Sequence, residues 1–154
     1  MASRLLRAAE EVRFLCDVDH EVPMSVIGML GQELRILDLP FFSFYSAFFS
    51  ALPSQFLHLK SLLVRGELKG EDPIFICHPT LETLKIGCEE PRSLTIDCPN
   101  LTYLSTDDEE FASDVEQGYS VPSLFCPLLT TLCLSPLHCT SGVLESMAAH
   151  APNV

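Results

Sequence analysis

The chain has 154 residues, 47% of them hydrophobic and 19% charged, which suits one packed domain and excludes a disordered polar chain. Twenty-one acidic against nine basic residues give a formal charge of -12. That balance argues against a nucleic-acid partner, whose phosphates call for clustered Lys and Arg.

Seven cysteines, an odd count, follow an N-terminal stretch in which Arg4, Arg7, Glu10 and Glu11 interrupt any apolar leader region. Free thiols in a reducing compartment, cytoplasmic or nuclear, are expected.

Taken in chain order, SRLLRAAEEV reads as a helix and VRFLCD, from Val12, as the first strand. Val22, Val26, Ile27 and Leu30 recur at helical spacing before a second strand, LRILDL from Leu34. The apolar run from Leu37 to Pro53 is shorter than the roughly 20 residues of a spanning helix, and Asp38 and three serines interrupt it. Its apolar side chains at Phe41, Phe44, Tyr45, Phe48, Phe49 and Leu52 form a helical stripe. A helix buried along one face is expected there, with no membrane contact.

Strands are then expected at LKSLLV from Leu59, LETLKI from Leu81, LTYLST from Leu101 and LTTLCL from Leu129. Short additional strands are expected at 74–76 (IFI) and 93–96 (SLTI), and a helix in SGVLESMAAH behind a Ser141 cap.

These six strands share one template, apolar-x-x-Leu-x-(mostly apolar), with Val154 as a seventh start. The steps between starts are 22, 25, 22, 20, 28 and 25 residues, mostly within the roughly 20–29 residues of a leucine-rich repeat. Pro79, Pro99, Pro127 and Pro152 each stand two residues before a start, where proline stops the preceding element and enforces an extended approach. The expected fold is therefore α/β: a single leucine-rich-repeat domain over 1–154, about six repeats, with a parallel concave sheet and an irregular helical or extended convex side. Because the pattern begins and stops mid-repeat, truncation at both ends is expected.

The segment from Cys126 to Val154, CPLLTTLCLSPLHCTSGVLESMAAHAPNV, together with CPNLTYL from Cys98, resembles the cysteine-containing leucine-rich repeats of F-box proteins. Cys139 and Cys88 are approximate matches to the loop cysteine of that repeat, and no F-box is visible. The resemblance implies a protein-interaction module, the substrate-recognition part of a ubiquitin-ligase adaptor. The alternatives are a non-ligase repeat scaffold in intracellular signalling and, on the aromatic stripe alone, a small-molecule pocket.

No metal, cofactor or catalytic set is expected. The cysteines lack C-x2-C spacing, so they read as small buried hydrophobes. Cys77–His78 and His138–Cys139 are neighbours in sequence without the oriented third group that nucleophilic catalysis needs. The acidic run from Asp107 to Glu116 reads as a solvated loop.

The candidate site is the outward side of the strands, because alternate strand residues face away from the core. Arg13, Phe14, Arg35, Ile36, Lys60, Leu63, Lys85 and Tyr103 are the candidate partner-binding residues. Arg13, Arg35 and Lys60 fall in one column of the template, and stacked like charges repel unless something negative lies on them. An acidic or phosphorylated protein segment is the expected partner, against the plainer reading of ordinary solvated side chains.

Overall fold

The computed structural model describes residues 9–14, 20–21, 28–40, 42–66, 69, 72–88, 94–106, 123–134, 145, 147–149, 151 and 153–154. The chain is α/β, and its main feature is a six-stranded, all-parallel sheet. The sheet runs in chain order through β1 (Glu11–Arg13), β3 (Ile36–Leu39), β5 (Ser61–Gly66), β7 (Thr83–Cys88), β9 (Tyr103–Ser105) and β11 (Thr131–Cys133).

Between these strands the chain returns through two smaller parallel sheets. One pairs β2 (His20–Glu21) with β4 (Phe42–Ser43); the other orders β6 (Ile74–Cys77), β8 (Leu94–Asp97) and β10 (Ser123–Phe125). Each pass of the chain thus visits the large sheet and then a return sheet. The short strands expected at 74–76 and 93–96 form there, as β6 and β8.

Strand register follows the leucines. Leu37, Leu62, Leu84 and Leu104 are mutual partners across β3, β5, β7 and β9, and all four are fully buried. Val12 and Leu132 extend the column at its ends and pack partly buried against the same core. The template's first leucines, Leu34, Leu59, Leu81, Leu101 and Leu129, are fully buried as well. Side chains alternate across a strand, so an inward column obliges its neighbours to face outward. Burying each leucine stabilises the stack by about 1.5–3 kcal/mol, far more than any exposed pair on the other face.

A turn opens each pass. The amides of Leu34, Leu59, Leu101 and Leu129 donate to the carbonyls of Gly31, Phe56, Cys98 and Cys126 at 3.1–3.3 Å, and Val154 repeats the pattern onto Ala151 at 3.3 Å. Neighbouring turns are tied by side chains. Asn100 Nδ2 donates to the Pro79 carbonyl at 2.6 Å, Asn153 Nδ2 to that of Pro127 at 2.9 Å, and Thr80 Oγ1 to that of Leu59 at 2.9 Å. The prolines leave these carbonyls accessible and contribute no competing donor.

Three sequence expectations change. The apolar run is only partly helical: α1 spans Ser46–Gln55, while Phe42 lies on β4 and Phe44 just beyond it. Pro40 and the demands of strand pairing keep the earlier part extended. Phe42, Phe44, Phe48 and Phe49 still pack ring against ring, with centroids 5.0–6.4 Å apart, so the aromatics fill the core from two elements rather than one.

The first strand also pairs in another register. Val12, not a residue three further on, partners Leu37. The third change follows from the second and concerns the candidate site.

In the last expected helix, Glu145 and Met147–Ala149 are helical. Residues 3–8 of the expected N-terminal helix, 22–27 of the next, the acidic run 107–116, and Cys16, Phe41, His138 and Cys139 lie outside the described residues, whereas Glu11 and Val12, at the end of the first of these helices, are on β1, and Leu30, at the end of the second, lies in a bend.

Gly66 ends β5 at φ +135, and a Cβ there would stand 2.0 Å from the carbonyl oxygen of Phe42. Only glycine tolerates both that dihedral and that approach.

Candidate functional site

The outward face of the large sheet carries three columns, and Arg65, opposite Gly87, continues it where β5 and β7 run longer than their neighbours. The first precedes the strands proper and runs Glu10, Arg35, Lys60, Glu82, Thr102, Thr130. Each amide in it donates to the carbonyl of the residue before, at 2.7–3.0 Å. The second is Glu11, Ile36, Ser61, Thr83, Tyr103, Thr131, and the third is Arg13, Asp38, Leu63, Lys85, Ser105, Cys133.

Six of the eight candidate residues, Arg35, Ile36, Lys60, Leu63, Lys85 and Tyr103, lie on this face in the columns the template assigns them. Arg13 lies on the face too, but opposite Asp38 in the third column instead of beside Arg35. Phe14 does not lie on the face: it packs against the core, its ring edge-on to Phe42 at 5.7 Å.

Both corrections come from the register. A slip by an odd number of residues exchanges the two faces of a strand, so Phe14 moves inward and Glu10 takes the place expected for Arg13. The slip also replaces a like-charge stack by an opposite-charge one, since Arg35 Nε lies 3.7 Å from Glu10 Oε2. Glu10 and Glu11 were missed by reading the template from Val12. Ala9-Glu10-Glu11-Val12 fits it equally well and makes the first step 25 residues, matching the next one.

The face therefore mixes five bases (Arg13, Arg35, Lys60, Arg65, Lys85) with four acids (Glu10, Glu11, Asp38, Glu82). Each base is engaged. Arg13 pairs with Glu11, Arg35 with Glu10 and Lys60 with Glu82, while the Lys85 ammonium sits 5.6 Å from the centre of the Tyr103 ring. The Tyr103 hydroxyl lies 3.7 Å from Cys133 Sγ. Among the acids, Asp38 is half-buried, and its Oδ1 is sealed from solvent with no hydrogen-bond partner. Thr102 and Thr130 turn their hydroxyls onto the preceding carbonyls at 3.1 Å, leaving methyl groups outward.

The turn side has different chemistry. His78, Cys98 and Cys126 occupy equivalent positions ahead of proline, all buried. The His78 Nε2–H donates to the Phe56 carbonyl at 3.0 Å, which leaves Nδ1 to accept from the Thr80 amide at 3.4 Å; this is the neutral ring. Burial lowers its pKa, against the opposing effect of that carbonyl. Cys98 and Cys126 point their thiols at the carbonyls of Ile76 and Ile96, at 3.7 and 3.8 Å.

Burial pushes the Cys98 thiol up to about 12 and that of Cys126 in the same direction, so both remain protonated and poorly nucleophilic. Cys77 is exposed on the opposite side of β6 from Ile76, so adjacency with His78 does not bring thiol and ring together. Among the described residues no group of three His, Cys, Asp or Glu is placed to hold a metal ion, and no helix is long and apolar enough to cross a membrane.

A second exposed apolar feature, Phe75 and Phe125, stands on the outer side of the β6–β8–β10 sheet. Compared with known proteins, the chain matches no family model, no curated protein and no solved structure.

Proposed function

We propose that the chain is a stretch of leucine-rich repeats whose outward sheet face binds another protein. The carrying observation is the register: one leucine column buried across successive parallel strands beside outward columns that mix apolar, aromatic, hydroxyl and charged side chains. A surface so built is rigid, broad and chemically varied, which suits recognition of a partner chain. Ile36, Leu63 and Tyr103 supply the apolar centre, and Arg13, Arg35, Lys60 and Lys85 lie around it.

The resemblance of the Cys-Pro-x-Leu turns to repeats of F-box proteins supports a particular role, substrate recognition for a ubiquitin ligase. The buried, proline-flanked Cys98 and Cys126 are consistent with that repeat class. The acidic-partner expectation rested on three stacked cations, and Glu10 now separates Arg13 from that column.

A photo-crosslinking side chain at Ser61 or Thr83 is expected to trap one specific protein adduct in cell extract. The same probe at Thr95, on the return sheet beside Phe75, is expected to give none. Adducts from Thr95 alone, or from neither sheet, contradict the proposal.

A further inference from the structure

Resting on that reading of the face, we infer that the partner segment is largely uncharged and sets a single carboxylate, from an aspartate or glutamate, on Lys85. The face is not uniform along the sheet. From β1 to β7 its three columns hold four bases and four acids, with Arg65 beyond them. From β9 and β11 they take Thr102, Tyr103, Ser105, Thr130, Thr131 and Cys133, none of them charged.

Lys85 stands at the border of the two parts, exposed. Arg13, Arg35 and Lys60 are each held by a glutamate. Around Lys85 the face offers no acid: Leu63 and Ser105 oppose it in register, and Thr83 and Gly87 flank it along β7. Glu82, three residues earlier, is held by Lys60, and Asp38 lies beyond Leu63, two strands or roughly 10 Å away. Arg65, opposite Gly87 on the neighbouring strand, adds charge of the same sign. The Lys85 ammonium sits instead 5.6 Å from the centre of the Tyr103 ring, an attraction that uses none of its three hydrogen-bond donors.

The ring itself is held at both ends. Tyr103 starts in the second column of β9 and brings its hydroxyl to 3.7 Å from Cys133 Sγ, in the third column of β11, so it lies across the sheet. Half-exposed and already ordered, it gives a partner apolar contact at little cost in side-chain freedom. The outward methyl groups of Thr102 and Thr130 extend that contact. Surroundings of this kind, uncharged and centred on a tyrosine, are easily desolvated and suit the middle of an interface.

Charge selects the occupant. A base placed here meets Lys85 and Arg65 and loses water without gaining a counter-ion. A phosphate calls for an arginine cluster, and its roughly double charge is opposed more strongly by a chain at -12. The same field opposes an acid-rich segment. One carboxylate among uncharged residues gains the ammonium and avoids both penalties.

The test uses the full chain and peptide libraries with uncharged flanks, fixed at the centre as an acid (Asp or Glu), arginine or phosphoserine. The acidic library is expected to enrich. Replacing its central acid by the matching amide, which keeps the shape and removes the charge, is expected to weaken binding at least about tenfold. Lys85→Gln is expected to produce the same loss, and Lys85→Glu to bind the selected peptides again once their central acid is changed to lysine. Lys60→Gln, at an exposed pair with Glu82, is expected to change affinity less than about twofold.

Enrichment of the arginine or phosphoserine library instead, amides binding as well as acids, or undiminished binding to Lys85→Gln overturns the inference. If the selected peptides in those cases are still lost with Tyr103→Ala, the recognition face survives and only the anchor falls. Enrichment insensitive to Tyr103→Ala, or no enrichment at all, overturns both.

Discussion

The two halves of the molecule solve one problem with different materials. Through β3 to β5 the chain returns by way of β4 and α1, and the interior there is filled by Phe42, Phe44, Phe48, Phe49 and Phe56. From β6 onward the return elements are short strands, and the equivalent space is closed by Ile76, Ile96, Leu124 and the small thiols of Cys98 and Cys126. The large sheet passes through both halves with its leucine column uninterrupted. The lesson is that the ladder fixes the spacing of the passes, while the return path adapts to whatever volume must be filled. Large rings hold the chain away from the sheet and leave room for a helix; small side chains let a strand lie close.

Substitutions sharpen that contrast. Phe49→Ala, in the aromatic half, is expected to cost about 3–5 kcal/mol, because it removes a fully buried ring from a cluster that cannot collapse around a fixed sheet. Chemical denaturation measures it, and a loss near that of an exposed residue would show the cluster to be loosely packed.

At the junction of the halves, Gly66→Ala is expected to cost roughly 3 kcal/mol, since it combines a left-handed φ with a Cβ 2.0 Å from a backbone oxygen. In the second half, Asn100→Ala removes one cross-turn hydrogen bond and is expected to cost only about 1 kcal/mol.

Thiol labelling separates the halves of a return strand. Under native conditions Cys77 is expected to alkylate readily and Cys98 and Cys126 only after unfolding, as followed by peptide mass spectrometry. Equal native rates at all three would contradict their burial.

The smallest effect is a pH dependence carried by His78, the one imidazole in this row of turn residues. Its folded pKa is lowered below the ordinary value of 6.5, so the folded state binds fewer protons than the unfolded chain in that range. The stabilisation is complete above 6.5 and is lost as pH falls from there through the lowered folded value. His78→Cys, copying the next turn, is expected to flatten that part of the stability profile; an unchanged slope would assign it to other groups.

Much of this was legible in the leucines. Five of the six template starts, from Leu34 to Leu129, lie where the spacing puts them, and the prolines mark the turns. The first strand misled because Ala9 and Val12 both satisfy a template that asks only for an apolar start, and the choice between them is made by packing around Phe14 and Phe42. That single ambiguity changed the candidate face, turning three stacked cations into a column in which Glu10 and Glu82 flank Arg35 and Lys60.

The aromatic stripe misled for a related reason: helical spacing in a run of phenylalanines also fits a strand followed by a helix, and pairing with β2 decides the former. The orphaned oxygen of Asp38 was not readable at all, since it depends on which neighbours are already engaged.

The register of the first strand is the claim on which the face depends, and interstrand proton contacts measured by NMR test it directly. The amides of Arg35 and Ile36 are expected to lie close to Glu10, with Val12 beside Leu37. Contacts placing Arg13 beside Arg35 would restore the cationic column and contradict the register on which the description of the face is built.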